Sequence, residues 1–425
     1  MDTYPAFIWS LDGWILCIGG LCALNTALLG NFLLLRRMSM LGDAISHAIL
    51  PGLALAFIIF ESRDSTLMLI GASLFGVLTV VLTEWLRGRG KVDEGAALGI
   101  VFVGLFALGL LLIVRAADTV DLDPSCVLFG SIELAPLSTI RLFGFDIPVS
   151  VPRLLGLLCI NVAFISLCYK ELLLSSFDEA FAEAEGCRPR LLHYIFLSLV
   201  ALTAVISFEI VGNILVVAMF VVPPACAHLL SRRLKSILLI SLFFALMFST
   251  FGHLGAVFIP PLIGFQSTST AGMIATVSGV AFIFLLLFSP SRGVVSTYLS
   301  RSLERQTIKI DDFLAEIFRG KEDKSISDQS TQPSFWIIKF SILTGLVIKD
   351  KQGFHLTDKG LKRAEQIIRS HRLWESYLSE EAGYESSQVH GHADGFEHYT
   401  DSGLQEKLHS ESKFPDEDPH GRKIP

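Results

Sequence analysis

Three short strings carry the side chains best suited to chemistry in this chain of 425 residues. Asp43 and His47 stand four residues apart in an otherwise apolar stretch, so a helix would put them on one face. A carboxylate beside an imidazole suits a first-row divalent metal, whereas carbonyls and waters suit calcium or magnesium. Pro51 follows one turn later and has no N–H, which frees a backbone carbonyl near His47. The same residues admit a structural reading, with Asp43 capping a helix start and His47 satisfied internally. His371 and Glu375 repeat the four-residue spacing far down the chain, and Asp394, Glu397 and His398 form a second ligand-bearing turn. Two histidines with carboxylates suit manganese, iron, zinc or nickel without choosing among them. The alternative there is a set of solvated groups on a charged helical face.

Composition separates the surroundings of these strings. The chain is 52% hydrophobic and 18% charged, against about a quarter charged for a soluble domain. From Arg305 onward there are 17 Lys and Arg, 21 Asp and Glu, and seven of the eleven histidines. The first 304 residues keep only 17 basic and 20 acidic side chains, too few for a water-facing surface. The expected architecture is an all-α polytopic membrane domain over residues 1–290 and a water-soluble tail. A collagen, a disordered chain and a single-domain cytosolic enzyme are excluded. All seven cysteines fall in the apolar part without a CxxC pair and read as packing residues. Residues 1–10 lack a basic n-region and a cleavage site, so the first apolar segment is expected to be a retained span.

Apolar runs of about 20 residues cross a bilayer. They occur at 13–35, 41–60, 66–86, 95–114, 150–169, 191–208, 211–230, 236–258 and 271–289, although 191–230 also reads as one broken hairpin. Asp43 and His47 thus fall inside the second span, where an ionisable group costs about 2.5–3.5 kcal/mol and is a functional candidate. Glu209, just before Gly212, reads either as a residue guarding an external gate or as a hydrated span end. Pro223 and Pro224 are expected to break the seventh span, and His228 and His253 to be solvated at span ends. Basic residues fall in alternate loops: Arg36 and Arg37; Arg87, Arg89 and Lys91; Lys170, Arg188 and Arg190; Arg232, Arg233 and Lys235. The other loops hold Arg63, Arg115, Arg141 and Arg153 with the acidic Asp118, Asp121 and Asp123. By the positive-inside rule the N-terminus is outside and the tail cytoplasmic. Phe177, Ala180, Phe181 and Ala184 predict a short amphipathic helix in the loop 171–190, ended by Gly186 and Pro189.

The string Met40-Leu-Gly-Asp-Ala-Ile-Ser-His-Ala-Ile-Leu-Pro-Gly52 resembles the signature of the permease subunits of manganese, zinc and iron ABC importers. The resemblance extends over about residues 10–290, through Asp121-Leu-Asp…Leu-Phe-Gly130, Phe181-Ala-Glu-Ala-Glu-Gly186 and Val211-Gly-Asn-Ile-Leu-Val-Val-Ala-Met219…Pro223. It implies a homodimeric permease in a bacterial inner membrane, a separate cytoplasmic ATPase, and a periplasmic or extracellular metal-binding protein that delivers the cargo. It also implies that Asp43 and His47 bind the cation on its path. Residues 178–190, with Glu179, Glu183, Glu185 and Gly186, match the segment that engages the ATPase. The chain has no GxxxxGK[ST] phosphate loop, in keeping with ATP hydrolysed by a partner.

In the tail, residues 291–310 read as a basic connector and 311–320 as a helix start. A second helix over Trp336–Leu343 ends at Gly345, and a two-stranded wing turns at Gly353, so 311–360 reads as winged-helix-like. From Leu356 onward the chain resembles the iron- and manganese-dependent repressors, through Leu356-Thr-Asp-Lys-Gly-Leu361, Arg369-Ser-His-Arg-Leu-Trp374, Ala393-Asp-Gly-Phe-Glu-His398 and Asp418-Pro-His-Gly-Arg422. That resemblance implies a helical metal-binding and dimerisation domain over 361–425. His371, Glu375 and His390 match one metal site of the iron-type members, and Glu397 and His398 supply further ligands. Asp394 stands where the manganese-type members carry a carboxylate. The early-helix ligands of the family find no counterpart, so a second site is expected to be incomplete, and the third, SH3-like domain of some members is absent. DNA is an unlikely partner for a tail with net charge near −4, since duplex binding draws on a basic face.

The function expected is a divalent-metal ABC permease with a metal-sensing tail. The competing readings are a carrier driven by an ion gradient, which would show paired inverted repeats, and a membrane-tethered metal-responsive regulator. No nucleophile–base arrangement argues for an enzyme.

Overall fold

Long apolar stretches with internally satisfied backbones fold as helices, since a bilayer offers no other partner for N–H and C=O groups. The computed structural model describes residues 8–60, 65–117, 131–142, 145–265, 268–290, 292–322, 334–350, 353–384, 386–412 and 417–425. The chain divides into two units, Met1–Ser296 and Thr297–Pro425.

The first unit runs α1 (Trp9–Leu35), α2 (Leu41–Ala48), α3 (Leu50–Phe60), α4 (Ser65–Gly90) and α5 (Glu94–Ala117). The antiparallel hairpin β1 (Thr139–Leu142) and β2 (Phe145–Pro148) follows, with Ile140 opposite Ile147. Then come α6 (Ser150–Leu167), α7 (Tyr169–Phe177), α8 (Glu179–Ala184), α9 (Pro189–Val211), α10 (Asn213–Leu230), α11 (Leu234–Ile263) and α12 (Thr270–Phe288). Among the described residues nine segments are long and apolar enough to span a membrane, α2 and α3 together forming the second. They coincide with the nine apolar runs within a few residues.

The core gathers around α1, whose Ile18, Cys22, Leu29 and Phe32 are fully buried. Buried amides register its neighbours. Asn25 donates to the Leu154 carbonyl (3.0 Å), and Asn161 donates to Asn25 (3.0 Å) and Thr203 (3.1 Å), joining α1, α6 and α9. Asn31 donates to Ser241 of α11 at 2.6 Å. Such bonds average about 0.6 kcal/mol each in a membrane protein, so they select a register more than they supply stability. Glycines set the closest approaches. A Cβ at Gly52 would strike the Gly71 carbonyl, and one at Gly71 the Gly52 carbonyl, so α3 and α4 meet backbone to backbone.

Several expectations are corrected here. Pro223 and Pro224 do not break their span, because α10 runs through both. Pro224 leaves the Phe220 carbonyl without a helical donor, and that carbonyl faces Gly30 of α1, where any Cβ would collide with it. Close helix contact at the freed carbonyl lets the helix continue. The region 191–230 is two helices divided at Gly212, whose φ of 87° only glycine adopts cheaply. The helix expected over 177–184 is interrupted at Asp178, which caps α8 by accepting from the Phe181 N–H at 2.9 Å. Pro189 opens α9 rather than closing the preceding helix. His253 is buried rather than solvated, with Nε2 3.2 Å from Asp12, whereas His228 is half-buried. Cys126 and the acidic Asp118, Asp121 and Asp123 lie outside the described residues.

The second unit begins within α13 (Val294–Glu322), a single helix that absorbs both the expected connector and the first helix of the tail. Next come α14 (Phe335–Leu343), the antiparallel wing β3 (Val347–Asp350) and β4 (Gly353–Leu356), then α15 (Asp358–Glu380), α16 (Ser386–Phe396), a single 3-10 turn over 397–399, and α17 (Ser402–Glu411). Asp350 pairs with Gly353, so Gly353 is the first residue of β4 rather than the turn; residues 351–352 lie outside the described residues. Phe313, Leu314, Val347 and Ala364 form the core that joins α13, the wing and α15. Thr357 caps α15 by accepting from the Gly360 N–H at 3.1 Å. Arg363 grips Asp311 with two bonds, 2.6 and 3.1 Å, which fixes α13 against α15. Residues 417–425 lie along α15, held by Arg372 donating to the Lys423 carbonyl and Arg369 to the Pro425 carbonyl at 2.7 Å.

Candidate functional site

In the first unit, α2 puts Asp43 and His47 on one face with Oδ1 and Nε2 3.9 Å apart, both partly exposed. The helix stops at Ile49 and restarts as α3, and Pro51 leaves the His47 carbonyl without an i+4 donor. The His47 ring lies against Phe102 and Phe106 of α5, at 5.5 and 5.7 Å between centroids. Gly109 lets α5 approach this break, since a Cβ there would press on Leu50 and Pro51. Two ligand atoms and a freed carbonyl can hold a partly hydrated cation. Among the described residues no third His, Cys, Asp or Glu completes the pair into a cluster.

Glu209 ends α9 and pairs with Arg153 of α6 at 3.3 Å, each about a third exposed. Glu179, Glu183, Glu185 and Gly186 are exposed on and after α8, beside the exposed Phe177 and Phe181. Spacing alone does not reveal a further polar chain in this unit, through Arg36, His193, Glu84, Arg87 and Glu94. Its members are spread over three helices and the residue that follows α1, and only the basic Arg36 and Arg87 stand out in the sequence, as loop charges.

In the second unit all six predicted ligands converge. His371 Nε2 lies 3.1 Å from Glu375 and 3.0 Å from His390, and His390 Nδ1 is 2.9 Å from the same Glu375 oxygen. The other nitrogen, His371 Nδ1, meets Glu397 at 2.5 Å and Asp394 at 3.3 Å. Beyond Glu397, His398 Nε2 lies 3.3 Å from the second Glu397 oxygen and 3.1 Å from Asp312. Asp312 is a further carboxylate at this end that residue spacing does not single out. It comes from α13, one residue after the Asp311 that Arg363 anchors. The acidic doublet Asp311-Asp312, inside α13, is the sequence signal for it. Trp374 steadies the 397–399 turn by donating to Thr400 at 2.8 Å.

Three groups emerge whose ligand atoms lie within 4.8 Å of one another: His371, Glu375 and His390; His371, Asp394 and Glu397; Asp312, Glu397 and His398. His371, Glu375 and Glu397 are all buried. Burial disfavours a charged imidazole, but the hydrogen bonds and charges of Glu375 and Glu397 outweigh it and hold the His371 pKa up at about 9. Burial also opposes the Glu375 carboxylate, yet His371 and His390 draw it down to about 2. His398 is raised by its hydrogen bond to Asp312, against burial. A protonated His371 between two carboxylates therefore balances this site, and a divalent cation offers the same compensation. Imidazole nitrogens and carboxylate oxygens converging from three segments fit a first-row transition metal.

Comparison with known proteins agrees with both halves. The profile of the ABC 3 transport family matches residues 13–289. That of the iron dependent repressor metal binding and dimerisation domain matches residues 357–425. The manganese transport system membrane protein MntD of Bacillus subtilis is 40% identical over 298 residues, 70% of this chain and 98% of the relative. A probable metal transport system membrane protein of Chlamydia trachomatis is 28% identical over 441 residues, covering 95% of this chain and 94% of its own. Among solved structures, PsaBC from Streptococcus pneumoniae in complex with Fab superposes with a TM-score of 0.55 at 28% identity, over 68% of this chain and 94% of that one. The chain belongs to the ABC 3 transport family, as a multi-pass membrane permease that carries a repressor-like metal-binding domain at its C-terminal end.

Proposed function

We propose that this permease imports a divalent transition metal, manganese before zinc or iron, with ATP hydrolysed by a separate cytoplasmic subunit. The observation that carries the reading is the Asp43–His47 pair on one turn of a broken span, in a chain 40% identical to a manganese permease. The cation arrives from an external metal-binding protein, passes Asp43 and His47, and leaves on the side that bears the ATPase. Glu209, paired with Arg153, guards the outer end. The N-terminus faces outward and the tail inward, as the basic loops require, and two copies in the lipid bilayer form the pathway. Glu179, Glu183, Glu185 and Gly186 present the coupling segment to the ATPase.

The tail senses the internal metal concentration through the cluster centred on His371. A DNA-reading role is disfavoured by α14, the helix before the wing. It exposes Phe335, Trp336, Phe340 and Leu343 and carries a single cation, Lys339, whereas duplex binding draws on several basic contacts. The test is uptake of Mn2+ by the full chain co-reconstituted with its ATPase and binding protein. ATP-dependent uptake that disappears in Asp43→Asn and His47→Ala variants supports the reading. Uptake driven by an ion gradient without ATP would replace it with a secondary carrier.

A further inference from the structure

The first unit holds a connected chain of polar side chains that transport by Asp43 and His47 does not itself use. Arg36 follows α1 directly and donates to three neutral acceptors: Ser176 Oγ at 3.2 Å, Ser175 Oγ at 2.8 Å and His193 Nδ1 at 2.7 Å. Its guanidinium also lies 5.1 Å from the centre of the Phe196 ring. A guanidinium has no acceptor, so His193 Nδ1 must accept and its proton sits on Nε2. That Nε2 lies 3.2 Å from a Glu84 oxygen of α4, close enough for an ion pair but without an aligned N–H···O bond. The same Glu84 oxygen accepts from Arg87 at 3.2 Å, and Arg87 reaches Glu94, the first residue of α5, at 3.7 Å. Further along, α5 carries the Phe102 and Phe106 rings that pack on His47.

The two ends of this chain are informative. One end holds Ser175 and Ser176, in the last turn of α7 and two or three residues before the cap of α8. The other holds the helix that walls the Asp43–His47 pair. We propose that Arg36 is a positioning residue that carries movement of the segment 169–186 through His193 and Glu84 to α4 and α5. It thereby couples ATP hydrolysis to the metal pair. This inference rests on the permease reading above and deepens it.

The geometry favours a relay over a static brace for one reason. The hydrogen-bond partners of Arg36 among the described residues are all uncharged, while Glu84 and Glu179 act on it by charge alone across a cavity of about 640 Å3 that all three line. Glu179 starts α8, so a shift of that helix into the cavity offers Arg36 a carboxylate in place of two hydroxyls. A charge-assisted bond is roughly twice as strong as a neutral one, so the exchange is favourable, and an Arg36 drawn toward Glu179 loosens its bond to His193. Room for the movement, a better partner within the same cavity and a single imidazole bridging the two states make a two-position element. An element of that kind is what coupling between distant sites requires.

The experiment measures ATP hydrolysed and Mn2+ transported side by side, with the full chain and its ATPase in proteoliposomes. Arg36→Gln is expected to assemble and hydrolyse ATP while Mn2+ moved per ATP falls about tenfold, within the range coupling variants show. His193→Gln, whose amide can accept from Arg36 and donate to Glu84, should keep the ratio, and His193→Leu should lose it. Arg36→Gln combined with Glu84→Gln should be no worse than the worse single variant, as members of one chain are not additive. An unchanged ratio in Arg36→Gln, parallel loss of hydrolysis and transport, or strict additivity would each overturn the relay. Wild-type vesicles that hydrolyse ATP without moving Mn2+ would instead overturn the permease reading on which it stands.

Discussion

The chain places its histidine–carboxylate groups in two opposite settings. In the membrane unit Asp43 and His47 offer two ligand atoms 3.9 Å apart, partly exposed and with no third ligand among the described residues. In the tail six His, Asp and Glu side chains and Asp312 make successive contacts of 2.5–3.3 Å around the buried His371, whose pKa is raised to about 9. A transported ion must be held weakly enough to leave, since conduction fails when binding is too tight. A sensed ion must be held long enough to change the fold around it. Few, hydrated ligands suit the first task, and many pre-positioned ones suit the second. The contrast teaches that similar pairs, Asp or Glu four residues from His, are tuned by what surrounds them.

The largest expected effect breaks the tail and spares the membrane site. A double His371→Ala, Glu397→Ala variant should lower metal affinity of the tail by more than about a hundredfold, since loss of supporting residues alone costs about 10–100-fold. Calorimetry on the full chain in detergent would show this as disappearance of the tight phase. Uptake into vesicles with a metal-free interior should continue. Retention of tight binding would remove the His371 cluster as a sensor.

The reciprocal variant, Asp43→Asn, should lower Mn2+ uptake by about tenfold or more, by analogy with ligand-environment losses, and leave the tight phase intact. If uptake stays normal while external binding protein is saturating, Asp43 is only a helix-terminal residue. A smaller effect is expected at Arg363→Ala. Loss of its two charge-assisted bonds to the nearly buried Asp311 should cost about 1–3 kcal/mol of tail stability. Asp312 would drift from His398, so metal binding at that end should weaken before binding at His371 does. Equal weakening at both ends would show that α13 contributes nothing specific.

The pH dependence of the metal-free tail sharpens the comparison further. His371 is raised from 6.5 to about 9, so its contribution is complete below 6.5 and is lost as pH rises through about 9. Glu375 is lowered from 4.5 to about 2, so its contribution is complete above 4.5 and is lost as pH falls through about 2. Stability from the pair should therefore be flat between 4.5 and 6.5 and decline on either side. A Tm decline of several degrees between pH 6.5 and 9 that Mn2+ suppresses is the expected result. In Glu375→Gln that slope should shrink, and an unchanged slope would place the titration elsewhere. The first unit makes a separate packing prediction. Gly30→Ala drives a Cβ into the Phe220 carbonyl, so α1 and α10 must part and yield of folded permease should drop.

Much of this was legible from sequence because the underlying signals are local. A run of about 20 apolar residues is long enough to cross a bilayer, and the nine runs coincide with nine helical segments among the described residues that are long and apolar enough to span. Four-residue spacing put Asp43 with His47 and His371 with Glu375 on single helix faces. Proline was misleading: Pro223 and Pro224 mark a missing donor, but whether a helix tolerates it depends on the neighbour, here Gly30. Histidine was equally misleading at His253, whose partner Asp12 is 241 positions away.

The sequence by itself determined which residues are apolar enough to leave water, where the chain turns polar, and which ligand types stand within one helical turn. Those properties depend on composition and on neighbours a few positions apart. Only the tertiary structure decided that Asp312 comes beside His398, that the carboxylates and imidazoles of 371–398 converge in overlapping groups, and that His193 stands between Arg36 and Glu84. Each of these links side chains tens to hundreds of residues apart. They meet because burial of helix faces brings the elements together, and no spacing rule along the chain encodes that distance.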